Sequence, residues 1–151
     1  MQPIELILLL YGAAALFAAL LYIPKLVQFL HCFFPPAKRY AREKRRIALL
    51  IPARDESRVI GDLFDSILRQ TYDRENFDVN VIVKRADDPT VEMAEKLGFS
   101  VFVVPDQTCK GAALDGFFQS IGKEHWQDCA AYCIVDADAV LAPDYVEQLN
   151  N

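Results

Sequence analysis

The sequence has few of the residues that build disulfide or zinc scaffolds. It holds four cysteines and two histidines in 151 residues, and no two cysteines have the Cys-x-x-Cys spacing. Cys129 and Cys133 follow His125 at intervals of four, which on a single helix would form a metal-binding face. A strand predicted over 131–135 interrupts that array. We therefore expect four unpaired cysteines that pack as ordinary small apolar residues.

The amino-terminal region lacks charge. No charged residue lies between Leu6 and Ile23, and no Lys or Arg precedes Lys25. As a helix rising ~1.5 Å per residue, this stretch with its flanks approaches the ~30 Å apolar thickness of a bilayer. A cleaved secretory signal needs a basic start and a shorter apolar core, and so long an uncharged run is unusual inside a small soluble domain. Residues 4–24 are predicted to form a transmembrane helix.

Positive charge is scarce after residue 46. Residues 1–46 carry seven Lys and Arg against two Glu, whereas residues 47–151 carry nine against nineteen Asp and Glu. We predict that residues 25–46 begin as an interfacial segment and continue as a basic linker. Pro35 and Pro36 are expected to end any helix between the two. The linker's basic residues are Lys38, Arg39, Arg42, Lys44, Arg45 and Arg46. This bias predicts a single-pass protein of the cell membrane, with its amino terminus outside and the rest in the cytoplasm, where disulfides are rare.

The basic cluster has two interpretations. A cluster of Lys and Arg suits nucleic acid, but the acidic residues 47–151 would repel a polyanion beyond it. The cluster also adjoins the predicted membrane span. Membrane lipid headgroups are therefore the simpler partner, and no nucleic acid partner is expected.

Apolar runs and helical stripes alternate from residue 47 onward. Strands are predicted over 47–51, 79–83, 100–104 and 132–135, with helices between them and a last helix near Pro143. The helix after the second strand has Asp88 as its N-cap, Pro89 at its first position and Gly98 just past its end. This alternation predicts an α/β, Rossmann-like fold over 47–151 with a mainly parallel sheet. Ligands of such sheets bind beyond the carboxyl ends of the strands.

The first strand ends in a charged turn that contains Arg54, Asp55 and Glu56. These side chains are suited to hold a base and ribose while backbone N–H groups approach phosphate. The alternative is a plain helix start in which Asp55 or Ser57 is the cap and Arg54 is solvated. Position alone does not separate the two.

An acid pair, Asp136 and Asp138, follows the fourth strand. In extended backbone both carboxylates would face one spot with Ala137 turned away, and a cation between them would relieve their repulsion. Mg²⁺ or Mn²⁺ suits such oxygen ligands together with substrate phosphates. The alternatives are a turn cap beside a solvated Asp, or a phosphotransferase nucleophile. The second belongs on a first strand before Gly-Thr, whereas here Ala139 follows.

A cationic loop, Lys110-Gly111, follows the third strand. Small residues at a helix start let the backbone approach a ligand, and the helix dipole favours an anion there. The alternative is a surface lysine beside a turn glycine.

Together, the segments over about 47–149 resemble family 2 of the glycosyltransferases, which has the GT-A fold. The segment 51–56 is similar to the family's Pro-x-x-Asn-Glu motif, with Asp55 in place of Asn, and 66–72 to its Ser-x-x-x-Gln-x-Tyr segment. The segment 110–114 is similar to its Gly-Lys-Gly-x-Ala-Leu loop, and 135–138 to its metal-binding Asp-x-Asp.

The resemblance implies a site for a nucleotide-diphosphate sugar, with Mg²⁺ or Mn²⁺ bound by Asp136 and Asp138. Where the family has an Asp that recognises the base, this chain has Lys84, and Asp87 or Asp88 is the expected substitute. The family usually takes a UDP-sugar as donor, so a UDP-sugar is expected here. The implied nucleotide-sugar-binding residues, taken with the residues argued above, are Pro52, Ala53, Arg54, Glu56, Asp87, Asp88, Lys110, Gly111 and Asp136.

The resemblance implies an inverting, metal-assisted transfer to an unknown glycan, lipid or protein acceptor. The family's acceptor half and catalytic base are expected beyond Asn151, so residues 47–151 would form the donor half and would not turn over alone. The alternative is a truncated, inactive module that is tethered to the membrane and binds nucleotide sugar or another protein.

Overall fold

The computed structural model describes residues 2–33 and 40–151, which fall into two compact units that divide between residues 39 and 40. Four residues of the predicted helix end and basic linker lie outside the described part: Pro35, Pro36, Lys38 and Arg39.

The first unit is a single helix, α1 (Pro3–Phe33), of 31 residues. At ~1.5 Å per residue it is about 46 Å long, which exceeds the apolar thickness of a bilayer. Its most apolar window has a mean hydropathy of 2.5, and none of its described residues is buried. By length and composition α1 is the one candidate membrane span in the described residues. It extends past the predicted span into the predicted interfacial segment.

The second unit is an α/β layer structure built on a parallel sheet. The strands are β1 (Ile47–Pro52), β2 (Phe77–Val83), β3 (Ser100–Val103) and β4 (Ala131–Ile134), in the order β3-β2-β1-β4. All three pairings are parallel. The helices are α2 (Ile60–Leu68), α3 (Pro89–Lys96), α4 (Lys110–Ile121) and α5 (Tyr145–Asn150). The predicted fold class is confirmed, and each strand begins and ends within two residues of its predicted bounds.

The central strand β1 is buried on both faces, which is why its sequence is apolar without alternation. Leu49 and Ile51 face the cluster formed with α2, α3 and α5, while Leu50 faces the cluster formed with α4. Helix α4 approaches the sheet closely at Gly116. A Cβ built on Gly116 would lie 2.4 Å from Val104 Cγ1, so no larger side chain fits without movement.

The ends of α3 show local sequence signals acting as predicted. Asp88 accepts a hydrogen bond from the Thr90 N–H at 2.9 Å, which caps the helix, and Pro89 occupies its first turn. Gly98 follows the helix with φ +72°, in the left-handed region that glycine tolerates best.

The strand order places a topological switch point between β1 and β4. After β1 the chain builds outward through β2 and β3, then returns to place β4 on the other side of β1. The carboxyl ends of β1 and β4 therefore lie side by side at the point where the strand order reverses, which is where ligands of open parallel sheets bind. β4 has β1 as its one partner among the described strands and forms an edge of the sheet.

Candidate functional site

A cavity of about 380 Å³ lies at the switch point, beyond the carboxyl ends of β1 and β4. Its lining combines residues from the β1 turn, the loop before α4 and the turn after β4. The lining residues are Pro52, Arg54, Glu56, Gln107, Cys109, Lys110, Asp136, Ala137 and Asp138. A second cavity, of about 300 Å³, lies between α4 and the opposite, amino-terminal end of the strands. Because ligands of parallel sheets bind at the carboxyl ends, the first cavity is the candidate site.

The turn after β1 is held by the backbone and not by side-chain caps. Ala53 donates its N–H to Ile82 O at 2.8 Å, which extends the sheet pairing by one bond. Helix α2 begins at Ile60 after Val59, and no side chain caps it. The alternative in which Asp55 or Ser57 caps this helix is therefore wrong.

Asp55 adopts the left-handed backbone conformation, with φ +58°. Asn and Asp are the non-glycine residues that most readily occupy this region, because their short polar side chains can bond locally. The replacement of the family's Asn by Asp is thus compatible with the turn. Asp55 Oδ1 also accepts a hydrogen bond from Arg85 at 3.2 Å, which joins the ends of β1 and β2.

The acid pair lies in the turn that follows β4. Val135 continues the pairing with β1 by donating its N–H to Leu50 O at 2.9 Å, after which the chain turns. Ala137 is 2% exposed, whereas Asp136 and Asp138 are exposed and line the same cavity. The two carboxylates therefore open onto one space.

Lys110 reaches the acid pair from the first position of α4. Its ammonium donates a hydrogen bond to Asp136 Oδ1, which links the start of α4 to the end of β4. Partial burial raises the pKa of Glu56, and the nearby carboxylates of Asp138 and Asp136 raise it further, whereas Lys110 lowers it. The cavity thus holds more negative than positive charge near its acid pair.

The donor set at the acid pair fits a divalent cation that shares its ligands with a substrate. Among residues 2–33 and 40–151, no group of three His, Cys, Asp or Glu is placed to hold a metal ion. Two exposed carboxylates beside a cationic lysine instead match the way Mg²⁺ is bound, through one or two carboxylates plus substrate phosphates. Asp136 and Asp138 are the residues that would hold it.

Four of the implied nucleotide-sugar-binding residues do not line the cavity. Ala53 is fully buried beneath the turn, and Gly111 lies within the first turn of α4. Asp87 faces solvent and pairs with Arg85 at 3.2 Å. Asp88 is 4% exposed and uses its carboxylate to cap α3.

Two residues of the cavity were not singled out by the sequence, Gln107 and Cys109. Both lie between β3 and Lys110, in a loop that the strand-end rule places at the ligand-binding edge. That position was the available signal. Cys109 is also the N-cap of α4, and the N–H groups of Ala112 and Gly111 lower the pKa of its thiol.

Solved structures of known proteins share this fold. A mannosyltransferase of Pyrobaculum calidifontis, PcManGT, solved with GDP-Man and Mn²⁺, is 22% identical with a TM-score of 0.60, over 95% of this chain and 42% of that chain. S. aureus TarS is 17% identical with a TM-score of 0.53, over 69% of this chain and 18% of that chain. TarS 1–349 in complex with UDP has the same identity and TM-score, and the match covers 69% of this chain and 30% of that chain. The chain thus spans less than half the length of each.

A comparison with curated proteins found no match. The family model described as "Glycosyltransferase like family 2" matches residues 44–151, which include every strand of the sheet and the whole cavity. The resemblance drawn from the sequence motifs is confirmed by this match, and the chain belongs to the glycosyltransferase like family 2.

Proposed function

We propose that this chain is the donor-binding part of a membrane-anchored glycosyltransferase and that its cavity binds a nucleotide-diphosphate sugar, expected to be a UDP-sugar. The observation that carries the proposal is that Glu56, Lys110, Asp136 and Asp138, from three separate segments, line one cavity at the switch point of the sheet. Ligands of open parallel sheets collect at this point.

The start of α4 supplies the attraction for the diphosphate. Lys110 brings an ammonium group, and the twelve-residue helix that it begins presents the positive end of its dipole. A diphosphate that bears two or more negative charges would compete with Asp136 for this lysine. The ion pair between Lys110 and Asp136 therefore marks where we place the phosphates.

The acid pair would hold Mg²⁺ or Mn²⁺ together with phosphate oxygens. Bound there, the cation supplies positive charge that stabilises the departing diphosphate. The structures of PcManGT with GDP-Man and Mn²⁺ and of TarS 1–349 with UDP support a nucleoside diphosphate as the ligand class. They carry different bases, so the choice of UDP rests on the resemblance.

The proposed reaction is an inverting transfer to a hydroxyl of a glycan, lipid or protein acceptor. This chain contributes the leaving-group side: Lys110 and the start of α4 hold the diphosphate while the acceptor oxygen attacks the anomeric carbon. The catalytic base is not assigned to a described residue.

The proposed anchor is α1, with the α/β unit in the cytoplasm and the linker's basic residues near lipid headgroups. Two of those residues have acidic partners within the α/β unit. Lys44 pairs with Asp73 at 2.7 Å, and Arg46 pairs with Asp78 through two hydrogen bonds of 2.7 and 3.0 Å. Their charge is partly neutralised, so Arg42 and Arg45 would carry more of the lipid contact.

The proposal is tested by titrating the full chain in detergent micelles with UDP, GDP and a UDP-sugar, each with and without Mn²⁺. We expect binding that needs the cation and that weakens at least tenfold when Asp136→Asn and Asp138→Asn are combined. The matched control combines Asp62→Asn with Asp65→Asn, which removes the same charge from the exposed face of α2. Equal affinity in both double variants would contradict the proposal.

The alternative of an inactive binding module makes the same binding prediction and differs in turnover. Incubation with a UDP-sugar, Mn²⁺ and membrane extract, followed by measurement of released UDP, separates the two. UDP release that is lost when Asp136 and Asp138 are replaced favours the transferase. Binding of the UDP-sugar with no such release of UDP favours the inactive module.

A further inference from the structure

Gln107 presents an unsatisfied acceptor beside the candidate site. Its side chain lines the cavity with Lys110 and the acid pair, yet the residue is only 3% exposed. Its Oε1 atom is buried and has no hydrogen-bond partner among the described residues. A buried amide oxygen without a partner lowers stability, so folded proteins seldom keep one without a reason.

The loop gives Gln107 little freedom to move toward another partner. The Gln107 N–H donates to Val104 O at 3.2 Å, and the Val104 N–H donates to Val83 O at 2.8 Å, which ties the loop to the ends of β2 and β3. Two residues later, Cys109 O accepts the first hydrogen bond of α4 from the Ala113 N–H at 3.1 Å. Gln107 is therefore held between two fixed points.

The chemistry of an orphaned acceptor limits what can satisfy it. An amide oxygen needs a hydrogen-bond donor or a cation, and the phosphates of a nucleoside diphosphate are ionised and only accept near neutral pH. We assign the cation at Asp136 and Asp138 to the phosphate oxygens, which complete its ligand set, and therefore seek a hydrogen-bond donor for Gln107. The remaining donors of a nucleotide sugar are its hydroxyl and base N–H groups.

The order of strands assigns which end of the ligand meets Gln107. With the diphosphate at Lys110 and the acid pair, one end of the ligand extends toward β4 and the other toward β2 and β3. The sugar and the nucleoside are attached to opposite ends of the diphosphate, and we place the sugar at the end nearer Asp136 and Asp138. The nucleoside is then the part that extends toward Gln107.

We propose that Gln107 is a nucleoside-binding residue of this site, whose Oε1 accepts a hydrogen bond from a ribose hydroxyl or a base N–H of the bound nucleotide. This assignment rests on the proposed function and adds to it a contact that recognises the nucleoside independently of the phosphates. The unpaired Oε1 thus lowers the stability of the ligand-free protein, and the bound nucleoside restores that stability by donating a hydrogen bond to it.

The test compares a probe that contains a nucleoside with one that lacks it. The full chain in detergent micelles, with Mn²⁺ present, is titrated calorimetrically with UDP, with GDP and with pyrophosphate. Gln107→Met keeps the length of the side chain and removes the acceptor. We expect it to weaken the preferred nucleoside diphosphate about tenfold, as for one lost buried hydrogen bond, and to leave pyrophosphate affinity unchanged.

The matched control is Thr90→Val. Thr90 is fully buried and its Oγ1 is the other unpartnered buried side-chain atom found in the described residues, but it does not line the cavity. We expect this variant to bind both probes as the unaltered chain does. Thermal unfolding without ligand should be unchanged or raised in both variants, because each removes an unsatisfied polar atom.

Each result of the titrations supports or overturns the assignment. Equal affinity of Gln107→Met and the unaltered chain for UDP and GDP overturns it, as does a parallel loss for pyrophosphate with a lower melting temperature, which would mark a structural residue. An unaltered chain that binds pyrophosphate but gains nothing from a nucleoside also overturns it and leaves the phosphate part of the proposed function intact. Binding of none of the probes refutes the proposed function itself.

A 2′,3′-dideoxy form of the preferred nucleotide identifies the donor group. If a ribose hydroxyl is the donor, the unaltered chain binds the dideoxy form less tightly and Gln107→Met no longer weakens binding. If a base N–H is the donor, Gln107→Met weakens the dideoxy form as much as the parent nucleotide. Both results support the assignment.

Discussion

Ser66 on α2 is joined by its hydroxyl to Leu141, three residues beyond the acid pair. Ser66 Oγ donates to Leu63 O at 2.7 Å within the helix and accepts from the Leu141 N–H at 3.0 Å. Ser66 is fully buried and does not line the cavity. This first residue of the Ser-x-x-x-Gln-x-Tyr segment therefore positions the turn that carries Asp138, and does not contact the ligand space itself.

Gln70 and Tyr72 of the same segment act in a similar way. The Gln70 amide donates to Ala142 O at 2.7 Å and accepts from the Val146 N–H at 3.0 Å, so it holds the chain between the acid pair and α5. The Tyr72 hydroxyl donates to Arg45 O at 2.8 Å, next to the start of β1. The Ser-x-x-x-Gln-x-Tyr segment therefore acts as a structural clamp, by which we mean that its three side chains hydrogen-bond distant backbone and hold those segments in place.

We expect Ser66→Ala to lower the free energy of unfolding by about 1–3 kcal/mol, because the buried Leu141 N–H loses its acceptor. The control is Ser120→Ala on α4, where the hydroxyl makes the same kind of bond to Phe117 O at 2.7 Å but lies exposed. Urea unfolding of the full chain in micelles measures both. A loss in Ser120→Ala as large as that in Ser66→Ala would contradict the clamp.

We expect Gly116→Ala to destabilise the protein by about 1–3 kcal/mol, the usual range for overpacking, because its Cβ would overlap Val104. Gly61→Ala is the control. Its Cβ would meet only Met93 Cε at 3.9 Å, so this helical substitution should stabilise by about 0.5–1 kcal/mol. Adding Val104→Ala to Gly116→Ala should recover part of the loss in thermal unfolding. No recovery would show that the strain has another source.

The raised pKa of Glu56 predicts a stability that depends on pH. Since partial burial and the carboxylates of Asp138 and Asp136 raise that pKa above its ordinary value of 4.5, the folded state holds the proton more tightly than the unfolded state. The free energy of unfolding therefore falls as pH rises from 4.5 through the raised pKa. With a chelator present, Glu56→Gln should be more stable than the unaltered chain at pH 7 and equal to it at pH 3.

Glu92 supplies a control of opposite sign. Its hydrogen bond with Lys96 lowers the pKa of the Glu92 carboxyl, so its contribution is present at neutral pH and is lost as pH falls. Glu92→Gln should be slightly less stable at pH 7 and unchanged at pH 3. Melting temperatures of both variants across this range check the prediction. The same sign for both at pH 7 would refute it.

The lowered pKa of Cys109 predicts selective alkylation. Its thiolate is stabilised by N–H groups at the start of α4, whereas burial and Asp78 raise the pKa of the Cys129 thiol. The rate of iodoacetamide labelling should reach its half-maximum at a lower pH for Cys109 than for Cys129, as measured by peptide mass spectrometry. UDP with Mn²⁺ should protect Cys109 alone of the two. Coincident pH profiles would contradict the prediction.

The sequence predicted the sheet because its signals are local. β1 is an apolar run, α3 has a cap and a terminal glycine, and each polar cluster follows a strand. The strand-end rule then brings Lys110 and Asp136 to one edge without any knowledge of distance. The sequence left two roles open for the Asp88 carboxylate, helix cap and base contact, and in the structure this carboxylate caps α3 through the Thr90 N–H.

Contacts that depend on how distant segments pack were not predictable. Nothing near Gln107 in the sequence marks it as buried, because its burial arises when the loop closes between β3 and α4. The same holds for Ser66, whose partner Leu141 lies 75 residues away along the chain. Such bonds leave no periodic pattern, and so pattern analysis does not find them.

The edge position of β4 affects how the site can be used. Its outer backbone groups face away from β1, and Ile134 on this strand is 47% exposed. Such an edge can pair with another extended segment, including one from a second copy of the chain. Any segment that pairs there lies next to Asp136 and Asp138. Self-association at high protein concentration would therefore change access to the acid pair as well as solubility.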